Sequence, residues 1–404
     1  MIGGIGIIRF IKGRSSQAKT FDDLFLYDNL IGDTTQKVLL PYIYETKLLL
    51  DAAISQYDKN GYANIIPALD LGFSYNVGRL AGGFTTGMVV DWSCEVPFVP
   101  IDMTLKECSG SVIELGNIEN PLKYFSAKNV TEALEKLKNS GFLFNFNSGN
   151  HFISLFKDKK EIYYLVVHSG DDGYRNSEKG VYPVESVWYE KEIKTVYNRD
   201  KTRYLKYLVD SAAQRFIDFA LLNRANVENF HITLADRIFP HLNNNFICNT
   251  YQHYGLHSEH TAVLGTGLVC RDSVYPIFSN QGLPIVIASP SRDMWSIEID
   301  KNEYYVFPHG WGQEIKGVTS VYNNLNSGCF NIEVEKSLIS EKIDYSNKLP
   351  KNIASVRNLC NYMDLIEGKI PFERVWNNQF YASVEKVLYP VAAYINKNQE
   401  VIVY

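Results

Sequence analysis

The sequence predicts a mixed α/β fold in which strands outnumber helices. Short apolar, β-branched and aromatic runs recur along the whole chain, as buried strands do. Only three stretches place apolar residues at helical spacing. Neither a Gly-x-Gly-x-x-Gly nor a P-loop motif is present, which argues against a doubly wound nucleotide-binding fold.

The elements follow in order. Residues 7–10 read as an early strand. Residues 41–56 carry Tyr42, Ile43, Leu48, Leu49, Ala52 and Ala53 at helical spacing, with Pro41 in the first turn, where its missing N–H is tolerated. Residues 63–100 are Gly-rich and β-like, and the strand 86–90 delivers Asp91. Residues 130–140 predict a short amphipathic helix capped by Asn129. An apolar strand at 162–167 feeds His168. Residues 204–226 form the strongest helical pattern, with Leu205, Leu208, Ala212, Phe216, Phe219 and Leu222 on one side. Residues 284–288 and 304–307 read as buried strands, and 400–404 as a last one. No internal repeat, low-complexity tract or Pro/Ser-rich linker interrupts the chain, so residues 1–404 are expected to form a single domain.

Composition narrows the function classes. The 404 residues are 46% hydrophobic and 21% charged, which describes a folded chain. A formal net charge of −5 gives no global attraction to polyanions, so nucleic-acid binding would need a local basic groove. Cys94, Cys108, Cys248, Cys270, Cys329 and Cys360 form no Cys-x-x-Cys pair and no dense framework. That points to thiols in a reducing compartment, and the expected location is cytoplasmic. Residues 1–12 lack the charge order and cleavage site of a signal peptide, and no run of ~18 apolar residues predicts a membrane span.

The chemistry is concentrated in widely separated motifs, each with a metal-type ligand near Gly, Ser or Asn. They are Asp91-Trp92-Ser93-Cys94, Gly149-Asn150-His151-Phe152, His168-Ser169-Gly170, His253 and Pro308-His309-Gly310-Trp311-Gly312. Carboxylate, thiolate and imidazole together suit a borderline transition metal. The charged segment 158–161 reads as a hairpin that returns His168 to the side of His151. His253 and His257 are four apart, a spacing that shares a helical face, although Gly255 weakens a helix there. Each motif alone also has a plain structural reading. Asp91 and Cys94 could be a turn former and a buried loop thiol, His151 and His168 core histidines, and His309 a β-turn residue. His231 and His241 read as structural or exposed.

Taken in order, these motifs resemble the RtcB-type RNA ligases over roughly residues 66–313. The family's Asp-x-x-Cys-Gly stands here as Asp91-Trp92-Ser93-Cys94-Glu95. Its Asn-His-Phe is Asn150-His151-Phe152, its His-Ser-Gly is His168-Ser169-Gly170, and its later lone His is His253. Its apolar strand and Pro-Gly-Ser-Met-Gly loop correspond to residues 284–287 and 288–293, and its His-Gly-Ala-Gly-Arg to His309-Gly310-Trp311-Gly312-Gln313. The resemblance implies stacked β-sheets around a central metal cleft, flanked by helices. It implies two Mn2+ ions, one held by Asp91, Cys94 and His151 and the other by Cys94, His168 and His253, with Cys94 bridging. Asn150, Ser289, Ser291, Arg292 and His309 would contact the nucleotide, and His309 would be the nucleophile. The implied reaction uses GTP to join an RNA 3′-phosphate or 2′,3′-cyclic phosphate to a 5′-hydroxyl through a His–GMP intermediate, as in tRNA splicing or RNA repair. Whether a second protein activates it is left open.

The departures from the family pattern cluster in the nucleotide contacts. The family's Pro-Asp-Val-His is Pro67-Ala68-Leu69-Asp70, so Asp70 would have to replace the acid that orients the nucleophile. His-Ser-Gly-Ser-Arg continues here as Asp171-Asp172, and the final Arg is Gln313. These changes keep two other readings open. One is a dinuclear-metal RNA-end phosphoesterase, and the other is a non-catalytic RNA-end binding paralogue.

Overall fold

A computed structural model describes residues 33–146, 151–171, 188–242, 246–278, 282–290, 296–335, 341–358 and 382–404. The expected strand at 7–10, Asn150, Ser291 and Arg292 lie outside these residues. The fold is mixed, with few helices and mostly antiparallel sheet.

Eleven strands form the main sheet: β1 (Tyr62–Gly72), β2 (Thr86–Ser93), β3 (Cys108–Gly116), β4 (Phe152–Lys157), β5 (Tyr163–Gly170), β6 (Ile247–Ser258), β7 (Thr261–Leu264), β8 (Tyr275–Ile277), β9 (Ile285–Pro290), β10 (Ala382–Ile395) and β11 (Glu400–Val403). Their order in space is β1-β2-β7-β6-β3-β5-β4-β10-β9-β8, with β11 paired to β10. Antiparallel pairing gives each strand two distinct faces, and the sequence alternates to match. Ile113, Ile153, Leu155, Leu165 and Val167 pack with the helices on one face. Val112, Phe152, Phe156, Tyr164 and Val166 face the other way, toward Phe278.

Three long helices make the helical layer: α1 (Thr34–Ile54), α2 (Ala127–Asn139) and α3 (Asp210–Ile238). α1 starts seven residues before the expected boundary, because Asp33 caps it by accepting Gln36 N–H at 2.9 Å. Pro41 is therefore inside the helix, exposed, rather than in its first turn. α2 is capped by Ser126, which accepts the N–H of Asn129, so Asn129 is inside the helix and not its cap. The long helix begins later than expected. Tyr204–Val209 is a strand, and Asp210, at φ 55°, turns the chain into α3.

The opposite face of β1, β2 and β7 is covered by a second, three-stranded sheet of Thr266–Val269, Asn302–Pro308 and Ile297–Ile299. Ile297, Ile299 and Val306 from it pack on Ala68, Val89 and Val263. The strand that leads into His309 thus lies over the face that carries Cys108 and His168. Among the described residues, no helix is long and apolar enough to cross a membrane, and no disulfide joins the described cysteines.

Candidate metal and nucleophile site

The site is assembled by neighbouring strands of the main sheet. Cys108 opens β3, opposite Tyr254 of β6 and Gly170 of β5. His168 lies on β5 opposite Gly110 of β3 and Phe152 of β4, and His151 directly precedes β4. The hairpin between β4 and β5 therefore brings His151 and His168 together, with ring centroids 5.6 Å apart. Gly110 is needed at its position because any Cβ there would strike the Phe278 ring, which stacks on His168 at 5.5 Å.

His253 reaches the cluster through a bulge. Cys108 pairs with Tyr254 and Ser109 with Gln252, which leaves His253 as the extra residue of β6. A bulge re-aims a side chain that regular alternation would place elsewhere. β6 is a strand throughout, so the spacing of His253 and His257 is not helical. His257 packs edge-on against Tyr304, away from the cluster, and burial lowers its pKa to about 4.

Cys108, His168 and His253 bring their ligand atoms within 4.8 Å of one another. His168 Nε2 and His253 Nε2 are 2.8 Å apart, and Cys108 Sγ is 3.4 Å from His168 Nε2 and 3.5 Å from His151 Nε2. His151 Nδ1 is 2.9 Å from the carbonyl of Asn145, to which it donates as N–H, leaving the Nε2 lone pair toward the thiol. Burial, reinforced by the neighbouring imidazoles, holds His253 well below the ordinary histidine pKa. A neutral imidazole is the metal-binding form.

His309 stands next to this cluster, its ring stacked on His253 at 5.8 Å and 20°. Asp70, fully buried on β1, accepts from His309 Nδ1 at 2.7 Å, from the His309 N–H at 2.9 Å and from the Gly310 N–H at 3.4 Å. The turn works because residue 310 is glycine. Its φ is 124°, and a Cβ there would overlap the carbonyl of Phe278.

Two expected ligands are not in the cluster. Met88, Leu264, Tyr254 and Cys108 share one row across the sheet. Asp91 lies three residues, about 10 Å, beyond that row along β2, which is itself three strands of ~4.8 Å spacing from the strand of Cys108. There Thr261 Oγ1 donates to Asp91 Oδ1 at 3.0 Å. Cys94 lies farther still, past the end of β2. Its pKa is raised first by burial and also by Asp58, Glu95 and Asp210. The thiol that meets the histidines is Cys108. The segment Glu107-Cys108-Ser109-Gly110 also sets a carboxylate and a thiol ahead of glycine, a signal that the Asp-x-x-Cys spacing overshadowed. Of the expected nucleotide contacts, Ser289 donates to Glu385 of the neighbouring strand.

His231 also has a defined place. From α3 it bridges Ser111 Oγ (2.7 Å, Nδ1) and Ser169 Oγ (2.7 Å, Nε2) on the helical face, directly behind the cluster. Burial first, then His168 and His151, depress its pKa to about 3. His241 stacks on Tyr124 at 4.0 Å, far from the site in the fold. No family model, curated protein or solved structure matches the chain.

Proposed function

We propose that this protein is a metal-dependent RNA ligase of the RtcB type, with Cys108 in place of Cys94 as the shared thiolate. The observation that carries the reading is the 2.7 Å contact between Asp70 and His309 Nδ1, beside a thiol–imidazole cluster. An acid on Nδ1 fixes the tautomer and leaves Nε2 as the nucleophilic atom. In the proposed reaction His309 Nε2 attacks the α-phosphorus of a nucleoside triphosphate. The N–P bond forms, the bridging P–O bond breaks and pyrophosphate leaves, while Asp70 offsets the positive charge that develops on the ring. An RNA 3′-phosphate oxygen then attacks the same phosphorus and releases His309. Finally the 5′-hydroxyl oxygen, losing its proton, attacks the RNA phosphate and expels the nucleoside monophosphate.

Cys108, His151, His168 and His253 would hold the metal, which when bound would neutralise triphosphate charge and polarise the attacked phosphorus. Cys108 would be the ligand common to His151 and His168, since its Sγ lies 3.5 Å from one Nε2 and 3.4 Å from the other. Without Asp91 the donor set is sulfur and nitrogen, which favours Zn2+ or Fe2+ more than the Mn2+ and carboxylate pairing of the resemblance. GTP is the nucleotide the resemblance suggests, and the RNA termini are a 3′-phosphate and a 5′-hydroxyl.

Purified protein incubated with each α-labelled nucleoside triphosphate and Mn2+, Zn2+ or Fe2+ should acquire acid-labile label, absent in His309→Ala. No label under any combination overturns the ligase reading. A second reading, an RNA-end phosphoesterase, draws support from Gln313 and the buried Asp171 at positions where the family has cations or neutral groups. Release of phosphate from 3′-phosphorylated RNA without protein labelling would select it.

A further inference from the structure

Among the described residues Arg79, Arg203 and Arg271 lie over tyrosine rings, and they differ in what else they touch. Arg271 pairs with Glu303 at 3.2 Å. Arg203 sits 3.6 Å from the Tyr42 centroid. Its guanidinium also donates to Tyr42 O at 3.2 Å, Glu45 Oε2 at 3.0 Å and Thr46 Oγ1 at 2.8 Å. Only its Nε lacks an acceptor among the described residues, and that set of partners makes Arg203 a structural residue. Arg79 sits 4.8 Å from the Tyr254 centroid. Its Nε and Nη1 atoms are buried and meet no acceptor among the described residues. A guanidinium stays charged at any physiological pH, and burying its N–H groups without acceptors is costly. An anion would supply the acceptors.

The location says which anion. Arg79 lies in the short helix Val77–Ala81, which follows β1 and so follows Asp70 by nine residues (79 − 70). Tyr254 is held by a hydrogen bond between its hydroxyl and Thr86 Oγ1 at 2.8 Å. Its ring meets the His309 ring edge-on at 6.4 Å and 90°. Arg79 and His309 therefore both contact one pinned aromatic ring. We propose that Arg79 is the phosphate-binding cation of this site, its N–H fork taking the oxygens of a phosphate presented to His309. The proposal rests on the reading of His309 as the group that meets a phosphoryl centre. It places the cation on the element after β1, whereas the His168-Ser169-Gly170-Asp171 and His309-Gly310-Trp311-Gly312-Gln313 segments carry none.

The test uses the full chain, as wild type, Arg79→Ala and Arg79→Lys, with melting temperatures to establish folding. Three quantities are measured. They are the KM for nucleoside triphosphate in self-labelling, the Kd for inorganic tripolyphosphate, and the Kd for an RNA oligonucleotide with a 3′-phosphate against the same oligonucleotide with a 3′-hydroxyl. Arg79→Ala should weaken the triphosphate terms, the 3′-phosphate term, or both by about tenfold or more, and Arg79→Lys by less, because it keeps charge but loses the fork. A change confined to the triphosphate terms assigns the contact to the nucleotide, and one confined to the 3′-phosphate assigns it to the RNA end. If wild type labels and all three constants are unchanged in folded Arg79→Ala, the Arg79 assignment is wrong and the ligase reading stands. If wild type never labels, the ligase reading is wrong, and tripolyphosphate and RNA binding alone decide Arg79. Should Arg79→Ala not fold, the folded Arg79→Lys decides, and unchanged constants there overturn the proposal.

Discussion

The surroundings of Cys108 and Cys94 separate two thiols that look alike in the sequence. Cys108 is buried among imidazoles, whereas Cys94 is half-buried and faces the carboxylates Asp58, Glu95 and Asp210. A thiolate ligand needs cations or neutral donors around it, and carboxylates oppose its formation. Cys108→Ala is therefore expected to lower bound metal in protein purified after loading with Zn2+ or Mn2+. Cys94→Ala should retain the wild-type metal content. Elemental analysis of the two variants checks this, and equal loss from both would sink the assignment of the thiol. Asp70 gives the second prediction at this scale. Its Oδ2 accepts from the ring and the backbone of residue 309 together, so it fixes both the tautomer and the position of His309. Asp70→Asn would offer an amide donor to Nδ1 and favour the other tautomer. Self-labelling of His309 should fall by about a thousandfold or more, with the melting temperature changed far less. Labelling at the wild-type rate in Asp70→Asn would remove Asp70 from the mechanism.

Among the elements, the strands expected at 86–90, 162–167, 284–288, 304–307 and 400–404 appear within a few residues of those bounds because their apolar runs are short and bounded. The sequence reading places no strand at Cys108–Gly116, Ile247–Ser258 or Ala382–Ile395. The segment 204–226 was not legible either. Leu205, Leu208 and Ala212 fit one helical side, yet Tyr204–Val209 pairs with Lys194–Tyr197 and with Phe98–Pro100. Nothing local distinguishes the two, and pairing across a hundred residues decides. The same holds for Cys108, which joins the histidines only through the registers of β3 with β5 and β6. His253 and His257 were read as one helical face because four-residue spacing serves helices and strands alike, and the bulge at His253 is invisible without the partner strand. His151, His168 and His309 were legible because each adjoins an apolar strand and a glycine. Pro41 tests the boundary of α1. It lies in the interior of a 21-residue helix and is exposed, so the cost of its missing N–H to the carbonyl of residue 37 is offset by the packing of the opposite face. Pro41→Ala should stabilise the protein by roughly 1–2 kcal/mol, partly reduced by the freer unfolded chain. A fall in the urea midpoint for this variant would mean that α1 is shaped by the proline.

Over the whole molecule, the layers are held in register by His231, which spans from α3 to the strands that carry Cys108 and His168. Both its nitrogens are engaged by serine hydroxyls, and Ser111 Oγ passes the chain on to Thr250 Oγ1 at 2.8 Å, so β3, β5 and β6 are tied together behind the site. The ring is buried and its pKa is depressed to about 3. The unfolded chain protonates it below about pH 6.5. Between those values the unfolded state binds a proton that the folded state does not, so the stability contributed by His231 is present above about 6.5 and is lost progressively as the pH falls toward 3. Glu107 and Asp102 act in the opposite direction. Burial raises their pKa values to about 8 and about 7, so the folded state holds protons there that the unfolded chain releases, and their contribution declines as the pH rises. The total profile mixes the two, but a comparison of wild type with His231→Gln isolates the imidazole, because the carboxylates are common to both. In chelator, wild type should be the more stable protein at pH 7.5, and its advantage in urea unfolding should narrow steadily between pH 6.5 and 4.5. A gap that stays constant across that range would show that His231 is protonated in the folded protein or exposed to solvent, and that the three strands are not held by a neutral ring.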